Sequence, residues 1–325
     1  MTPRATVSAV IPNWNKARLL ERALDDLGRQ SYPVELTVVV DNGSTDGSAQ
    51  AAEGRGARVV RFPRNEGFAR AVNRGVAECS SEWVLILNND VTFGPGWLAE
   101  LVAGAGEAWF AVGKLVSEAD PAVIDGTYDA VSRGGTAWRC GAGRKDGELW
   151  SRAGRAAFPP LTAALVRREL FERVGPLDEG FESYLEDVDF GIRCARRGYA
   201  GVYVPQAVAR HAGSATLGAW HNATVRRISR NQLILIKKHF GGAPLRPIVA
   251  AQLLWGITAL GHGAGWAWLR GKIDGLRRPC AKADGGWPEI RETVEESESE
   301  LRRLQAASGF DRYWRLYFAL AGTGS

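Results

Sequence analysis

The chain has 325 residues, 45% of them hydrophobic, enough to bury a substantial core, so a disordered chain is excluded. Its net charge is +5, with 41 basic against 36 acidic residues and no long basic run; this argues against nucleic acid as a partner and favours phosphate-bearing ligands or an anionic membrane surface. Cys79, Cys140, Cys194 and Cys280 stand far apart without zinc or disulfide spacing, and the first residues lack a signal peptide's apolar run, so a cytoplasmic protein is expected.

β-branched runs at 7–11, 36–40 and 59–62 alternate with a helical pattern at 17–27 and a small-residue segment, which predicts βαβ units on a parallel sheet. Asn65-Glu66-Gly67 reads as a turn. Phe68, Val72 and Val76 then mark a helix over 68–77, followed by an apolar strand at 83–87. Each strand ends in polar residues, and open α/β sheets bind ligands at the carboxyl ends of their strands. Asn13, Asp41, Asn88, Asn89 and Asp90 are therefore expected to converge.

Residues 125–160 show no period and read as loops around a partly irregular sheet. Order returns with a strand at 161–166, a short helix ending near 174, and an acidic segment leading into a helix that Gly198 stops. Two short strands are predicted at 202–204 and 208–211, then a long helix over 220–240 closed by Lys237, Lys238 and His239.

Composition changes after Gly241, dividing the chain into an α/β domain at 1–240 and a helical C-terminal appendage at 241–325. Residues 248–269 are uncharged, but Gln252, His262 and four glycines dilute their apolarity, while Trp255, Trp266 and Trp268 favour an interface. Arg246 before the stretch and Arg270, Lys272, Arg277 and Arg278 around its end suit a helix lying on an anionic leaflet. Packing on the catalytic domain, or across a homodimer, is the alternative.

Four constellations carry chemistry. Asp41, delivered by a buried strand into a turn, suits a nucleobase edge or ribose hydroxyl, although Asp41 and Ser44 also fit an Asx turn. Asp90, at the end of an apolar strand, is a natural ligand for Mg²⁺ or Mn²⁺, with Asn88 offering only a neutral oxygen. Glu186, Asp187 and Asp189 repel one another unless a helix dipole, arginines or a cation compensate. Asp189 pairs with Arg193 at i, i+4, which leaves Glu186 and Asp187 as candidate bases. His211, at a strand end, could complete a metal shell with Asp90, yet alone it fits a structural histidine as well.

In this order, 11–15 (Ile-Pro-Asn-Trp-Asn), the turn at 41–48, Asn65-Glu66-Gly67-Phe68-Ala69 with Asn73, 87–90, Val174-Gly175-Pro176-Leu177-Asp178, 185–189 and His211-Ala212-Gly213-Ser214 resemble the family-two glycosyltransferases of GT-A fold, a Rossmann-like α/β fold. The rhamnosyltransferase-like branch is the nearest in pattern. The resemblance implies Asp41 on the nucleobase, and Pro12, Asn13, Asn65, Gly67, Phe68, Asn73, Asn88 and Asn89 around the nucleotide. It implies Asp90 on a divalent cation, His211 on that cation or the diphosphate, and Asp187 as the base, with Glu186 beside it. Asn88 stands where other members carry aspartate.

The activity so implied is inverting transfer from a UDP- or dTDP-sugar to a glycan, lipid-linked or small-molecule acceptor. It would take place in the cytoplasm, with a peripheral position on the inner face of the membrane as a further expectation. A non-catalytic nucleotide-sugar or glycan-binding module is the competing class. A dinucleotide oxidoreductase is disfavoured because Pro12-Asn13-Trp14-Asn15 stands where a GxGxxG turn would be needed.

Overall fold

The computed structural model describes residues 4–213, 220–280 and 285–322; Ser214 of the last motif lies outside them. The first part of the chain runs β1 (Val7–Asn13), α1 (Ala17–Gly28), β2 (Leu36–Asp41), α2 (Ser48–Glu53), β3 (Arg58–Arg61), α3 (Phe68–Val76) and β4 (Trp83–Leu87). β4, β1, β2 and β3 lie side by side in parallel, as the βαβ rhythm predicts. Every residue of β4 is buried, which is the signature of a strand covered on both faces. α3 lies so close to the sheet that a Cβ on Gly75 would stand 2.3 Å from Val10 Cγ1.

The chain continues through β5 (Val91–Phe93), α4 (Trp97–Ala105), β6 (Phe110–Ser117), β7 (Ile124–Gly126), β8 (Asp129–Val131), β9 (Ala137–Arg139), β10 (Gly154–Ala156), β11 (Ala163–Arg167), α5 (Glu169–Arg173), α6 (Glu186–Arg196) and β12 (Gly201–His211). The large sheet has the order β10-β12-β6-β11-β4-β1-β2-β3, with β5 on β12 and β7 on β6. It is mixed rather than wholly parallel, because β11 runs antiparallel to both β4 and β6. The two strands expected at 202–204 and 208–211 are one strand, β12, whose register on β6 shifts between Val204 and Val208. Pro205 has no N–H to give the ladder, and Ala207 O approaches Gly113 where a Cβ would lie 2.2 Å away.

The helices that follow are α7 (Asn222–His239), α8 (Leu245–Gly261), α9 (Gly265–Arg277), α10 (Trp287–Ser308) and α11 (Arg312–Ala321). The uncharged stretch is two helices, not one. His262 N–H, Gly263 N–H and Ala264 N–H turn back to Ala259 O and Leu260 O, with Gly263 at φ +75°, a Schellman stop that only glycine adopts cheaply. No described helix is long and apolar enough to cross a membrane.

Two compact units result, and they divide differently from 1–240 and 241–325. One is Met1–Tyr128 with Gly141–Gly213; the other is Asp129–Cys140 with Ser214–Ser325. The physical reason is packing within the second unit. α7 packs along α9, and the β8–β9 hairpin packs on α10. In the hairpin, buried Arg133 gives its backbone N–H to Glu298 Oε2 at 2.7 Å and its Nε to Glu298 Oε1 at 2.8 Å, and the Tyr317 hydroxyl donates to Glu298 Oε2.

Candidate active site

The first unit gathers the polar strand ends at one edge of the parallel sheet. Asn13 and Asp41 are register partners at the ends of β1 and β2. Both are buried, and Asn13 Nδ2 faces Asp41 Oδ1 at 3.4 Å and Ser44 Oγ at 3.2 Å. The Asp41 carboxylate also accepts from Ser44 N–H at 3.3 Å, so the Asx turn exists alongside any ligand role. Asn89 Nδ2 donates to Asn13 Oδ1 at 2.7 Å, joining the β4 end to the same network. Asn15 and Lys16, at positive φ, turn the chain from β1 into α1; Asn15 Oδ1 accepts from Thr45 N–H and its own N–H bonds Ser44 Oγ. Pro12 and Asn88 are half-buried beside this network, Asn88 N–H being tied to Thr162 O.

The segment after β3 does something its motif did not disclose. Asn65 Oδ1 accepts from Gly67 N–H, closing a local turn. Phe68 N–H then donates to Ser183 Oγ at 3.3 Å, and Ala69 N–H to Glu182 O at 3.0 Å. Asn73 is committed to the same region: its amide donates to Leu177 O and accepts from Leu177 N–H at 2.8 Å. The turn and α3 thus hold the loop that leads into α6. That loop is strained, with Glu182, Tyr184 and Leu185 all at positive φ without being glycine.

α6 begins with the acidic cluster in its first turn, where the helix dipole favours negative charge. Glu186 is buried and Asp187 half-buried. Asp189 is buried and paired with Arg193 at 3.0 Å; Arg193 also caps the carbonyls of Val174, Gly175 and Pro176. The i, i+4 pair is therefore structural, and Asp187 is the more accessible carboxylate of the cluster.

β5 and β12 bring the remaining pair together. His211 is in register with Val91, and Ala212 N–H bonds Asp90 O. His211 Nε2 lies 3.1 Å from Asp90 Oδ1, and Nδ1 lies 2.8 Å from Asp125 Oδ2 on β7. Burial alone would depress the imidazole's pKa, but the hydrogen bond to Asp125 and the negative charges of Asp125 and Asp90 outweigh it and push it up to about 9. Asp125 is a residue that the sequence reading did not select; it opens the aperiodic stretch, and no spacing there marks it.

The fit of a divalent cation rests on two features. Asp90 Oδ1 is buried without a well-formed hydrogen bond, and the nitrogen facing it is a metal-ligand type oriented from behind by a carboxylate. Among the described residues no three His, Cys, Asp or Glu side chains form a ready-made metal cluster, so the protein offers two ligands and would leave the remaining positions to phosphate oxygens and water.

The family described as "Glycosyl transferase family 2" matches residues 8–175. The chain is 31% identical over 274 residues to the N-acetylglucosaminyl-diphospho-decaprenol L-rhamnosyltransferase of Mycobacterium tuberculosis, covering 70% of this chain and 83% of the relative. It is 26% identical to the pre-mycofactocin glycosyltransferase of the same species, covering 80% of this chain and 54% of that one. Among solved structures, GalNAc-T7 with UDP, GalNAc and Mn²⁺ superposes with a TM-score of 0.63 at 15% identity, covering 95% of this chain and 59% of that one. A mannosyltransferase from Pyrobaculum calidifontis with GDP-Man and Mn²⁺ superposes with a TM-score of 0.51 at 20% identity, covering 97% and 86%. The fold is that of GT-A enzymes.

Proposed function

The chain belongs to glycosyltransferase family 2 and is an enzyme of sugar transfer from nucleotide sugars; from that premise we propose inverting transfer from a UDP- or dTDP-sugar to a hydroxyl of a lipid-linked or cell-surface glycan. The relative's decaprenol-linked acceptor and rhamnosyl product support a polyprenyl-diphosphate acceptor and a deoxyhexose donor. The single observation that carries the site assignment is the convergence of Asn13, Asp41 and Asn89 with Asp90 and His211 at the strand ends.

In this reading Asp41 receives the nucleobase or ribose, and the Asn13–Asn89 network fixes its carboxylate. Asp90 and His211 would hold a divalent cation, Mg²⁺ or Mn²⁺, with Asp125 keeping the imidazole oriented. The chemistry such a cation would supply is Lewis-acid neutralisation of the diphosphate's charge. Asp187 takes the proton of the acceptor hydroxyl as its oxygen attacks the anomeric carbon from the face opposite the diphosphate, which inverts that centre. Asn65, Gly67, Phe68 and Asn73 act by seating the loop before Asp187.

A thermal-shift screen of nucleotide sugars with Mn²⁺ or Mg²⁺ tests the donor reading, since a ligand at a hundred times its Kd adds about 2.7 kcal/mol. UDP- or dTDP-sugars that stabilise the wild type only with metal, and not Asp90→Ala, are the expected result. Stabilisation that is indifferent to metal in both proteins would remove the assignment of Asp90 and His211.

A further inference from the structure

Among the described residues, large hydrophobic side chains are left exposed at 14 positions, and 11 of these fall on α8, α9 and α11. Scattered exposure needs no explanation, but concentration on packed neighbouring helices does. On α8 the exposed set is Leu245, Val249, Leu253, Ile257 and Leu260, at intervals of four, four, four and three, so one face of the helix is apolar and bare. On α9, Trp266, Ile273 and Leu276 repeat the pattern, with Trp266 76% exposed. On α11 it is Leu316 and Leu320. α8 packs against both other helices, and Arg246 Nε donates to Leu320 O, joining the start of α8 to the end of α11.

Charge identifies the occupant. Exposed arginines share the helical phase of these side chains: Arg270 stands four residues after Trp266 and three before Ile273, and Arg277 four after Ile273, on α9; Arg312 stands four before Leu316 on α11, with exposed Arg315 next to it, and Arg246 three before Val249 on α8. α8 and α11 contain no acidic residue, and the single acid of α9, Asp274, is taken by Arg226 at 2.6 Å. A second copy laid on this face would set arginines against arginines with no carboxylate on these helices to neutralise them. An anionic lipid surface supplies the neutralising charge and a boundary for the leucines, and it suits a tryptophan and long arginine stems.

We propose that α8, α9 and α11 form a peripheral docking face for an anionic bilayer, with the apolar stripes entering the headgroup boundary and the arginines meeting the lipid phosphates. The helices lie on the membrane and do not cross it, in keeping with their lengths. The proposal holds whatever the sugar or acceptor, and its failure is separable from failure of the donor reading because nucleotide binding is scored independently.

Flotation of the full chain with phosphatidylglycerol-rich and with pure phosphatidylcholine vesicles tests it. Binding to the anionic vesicles only, weakened by added salt, is expected. Arg270→Gln with Arg315→Gln should lower partitioning by roughly fivefold per charge removed. Leu253→Gln with Ile257→Gln should lower it on anionic vesicles by at least about tenfold. Both variants should keep the wild-type melting temperature and nucleotide-induced shift. Wild-type protein that stays unbound with anionic vesicles overturns the proposal, as does binding that ignores lipid charge. Sedimentation as a dimer that Leu253→Gln with Ile257→Gln disperses, without flotation, would instead assign the face to a second copy.

Discussion

Gly67→Ala is the substitution that best tests how the site is assembled. Gly67 has φ 94° and ψ 167°, a region essentially reserved for glycine, so any L-residue there costs about 1–3 kcal/mol. Space adds to the cost: its Cβ would lie 2.8 Å from Glu182 O and 3.0 Å from Glu182 Cα, both backbone atoms that cannot swing aside. The displaced segment is the strained loop 182–185, which hands the chain to Asp187. A shift of about 1 Å in the base can cost up to ~10²-fold in turnover.

Gly56→Ala is the control, because Gly56 has φ +77° but nothing within 4 Å of its Cβ; it carries the backbone cost without the collision. Metal-dependent donor turnover and melting temperature would be measured for both. Both variants should melt earlier, whereas only Gly67→Ala should lose kcat by one to two orders of magnitude, with donor Kd changed little. If Gly67→Ala melted earlier yet kept kcat within about twofold, where mispositioning predicts up to ~10², the loop would not depend on this turn.

Three further outcomes follow from the site. Asp187→Asn should reduce transfer by about 10²–10⁴ while nucleotide affinity by calorimetry stays near wild type; retention of activity within about tenfold would move the base to Glu186. Asp125→Asn, which leaves His211 Nδ1 without its carboxylate partner, should weaken Mn²⁺ binding by about 10–100-fold in calorimetry, and unchanged affinity would make Asp125 a bystander. In chelator, the His211 pKa, raised from 6.5 to about 9, gives stability that is complete below pH 6.5 and lost as pH rises through 9. The loss is of order 3 kcal/mol. Thermal melts across this window should fall more steeply for wild type than for His211→Gln, and parallel curves would contradict the geometry.

Much of the first unit is legible in sequence for a simple reason. Buried parallel strands must be continuous β-branched runs, and their ligand-bearing ends must be polar, so β1, β2 and β4 and residues Asn13, Asp41 and Asp90 stand out without any tertiary knowledge. What stays hidden depends on pairing across long separations. Asp125 meets His211 from 86 residues away through β7, β6 and β12, and β7 is three residues long. Phe68 meets Ser183 from 115 residues away, so the Asn65–Phe68 motif is visible as a turn while its hold on the loop before Asp187 is not. The glycines of the uncharged stretch were visible too, but composition could not show that Gly263 stops α8 and lets α9 start afresh.

The β8–β9 hairpin means that this chain cannot be divided by a single cut. Arg133 and Glu298 are 165 residues apart, and the hairpin lies in sequence inside the first unit while belonging to the second. A ribosome finishing residue 213 has delivered every strand of the large sheet, yet it has also released a hairpin whose counter-ion is still to be made. Until α10 emerges, the guanidinium must stay solvated, so the second unit closes only when synthesis is nearly over. A polypeptide ending at Phe240 would keep the candidate site residues but lack α10, the helix on which the β8–β9 hairpin packs, so Arg133 would stay solvated and the hairpin without its partner.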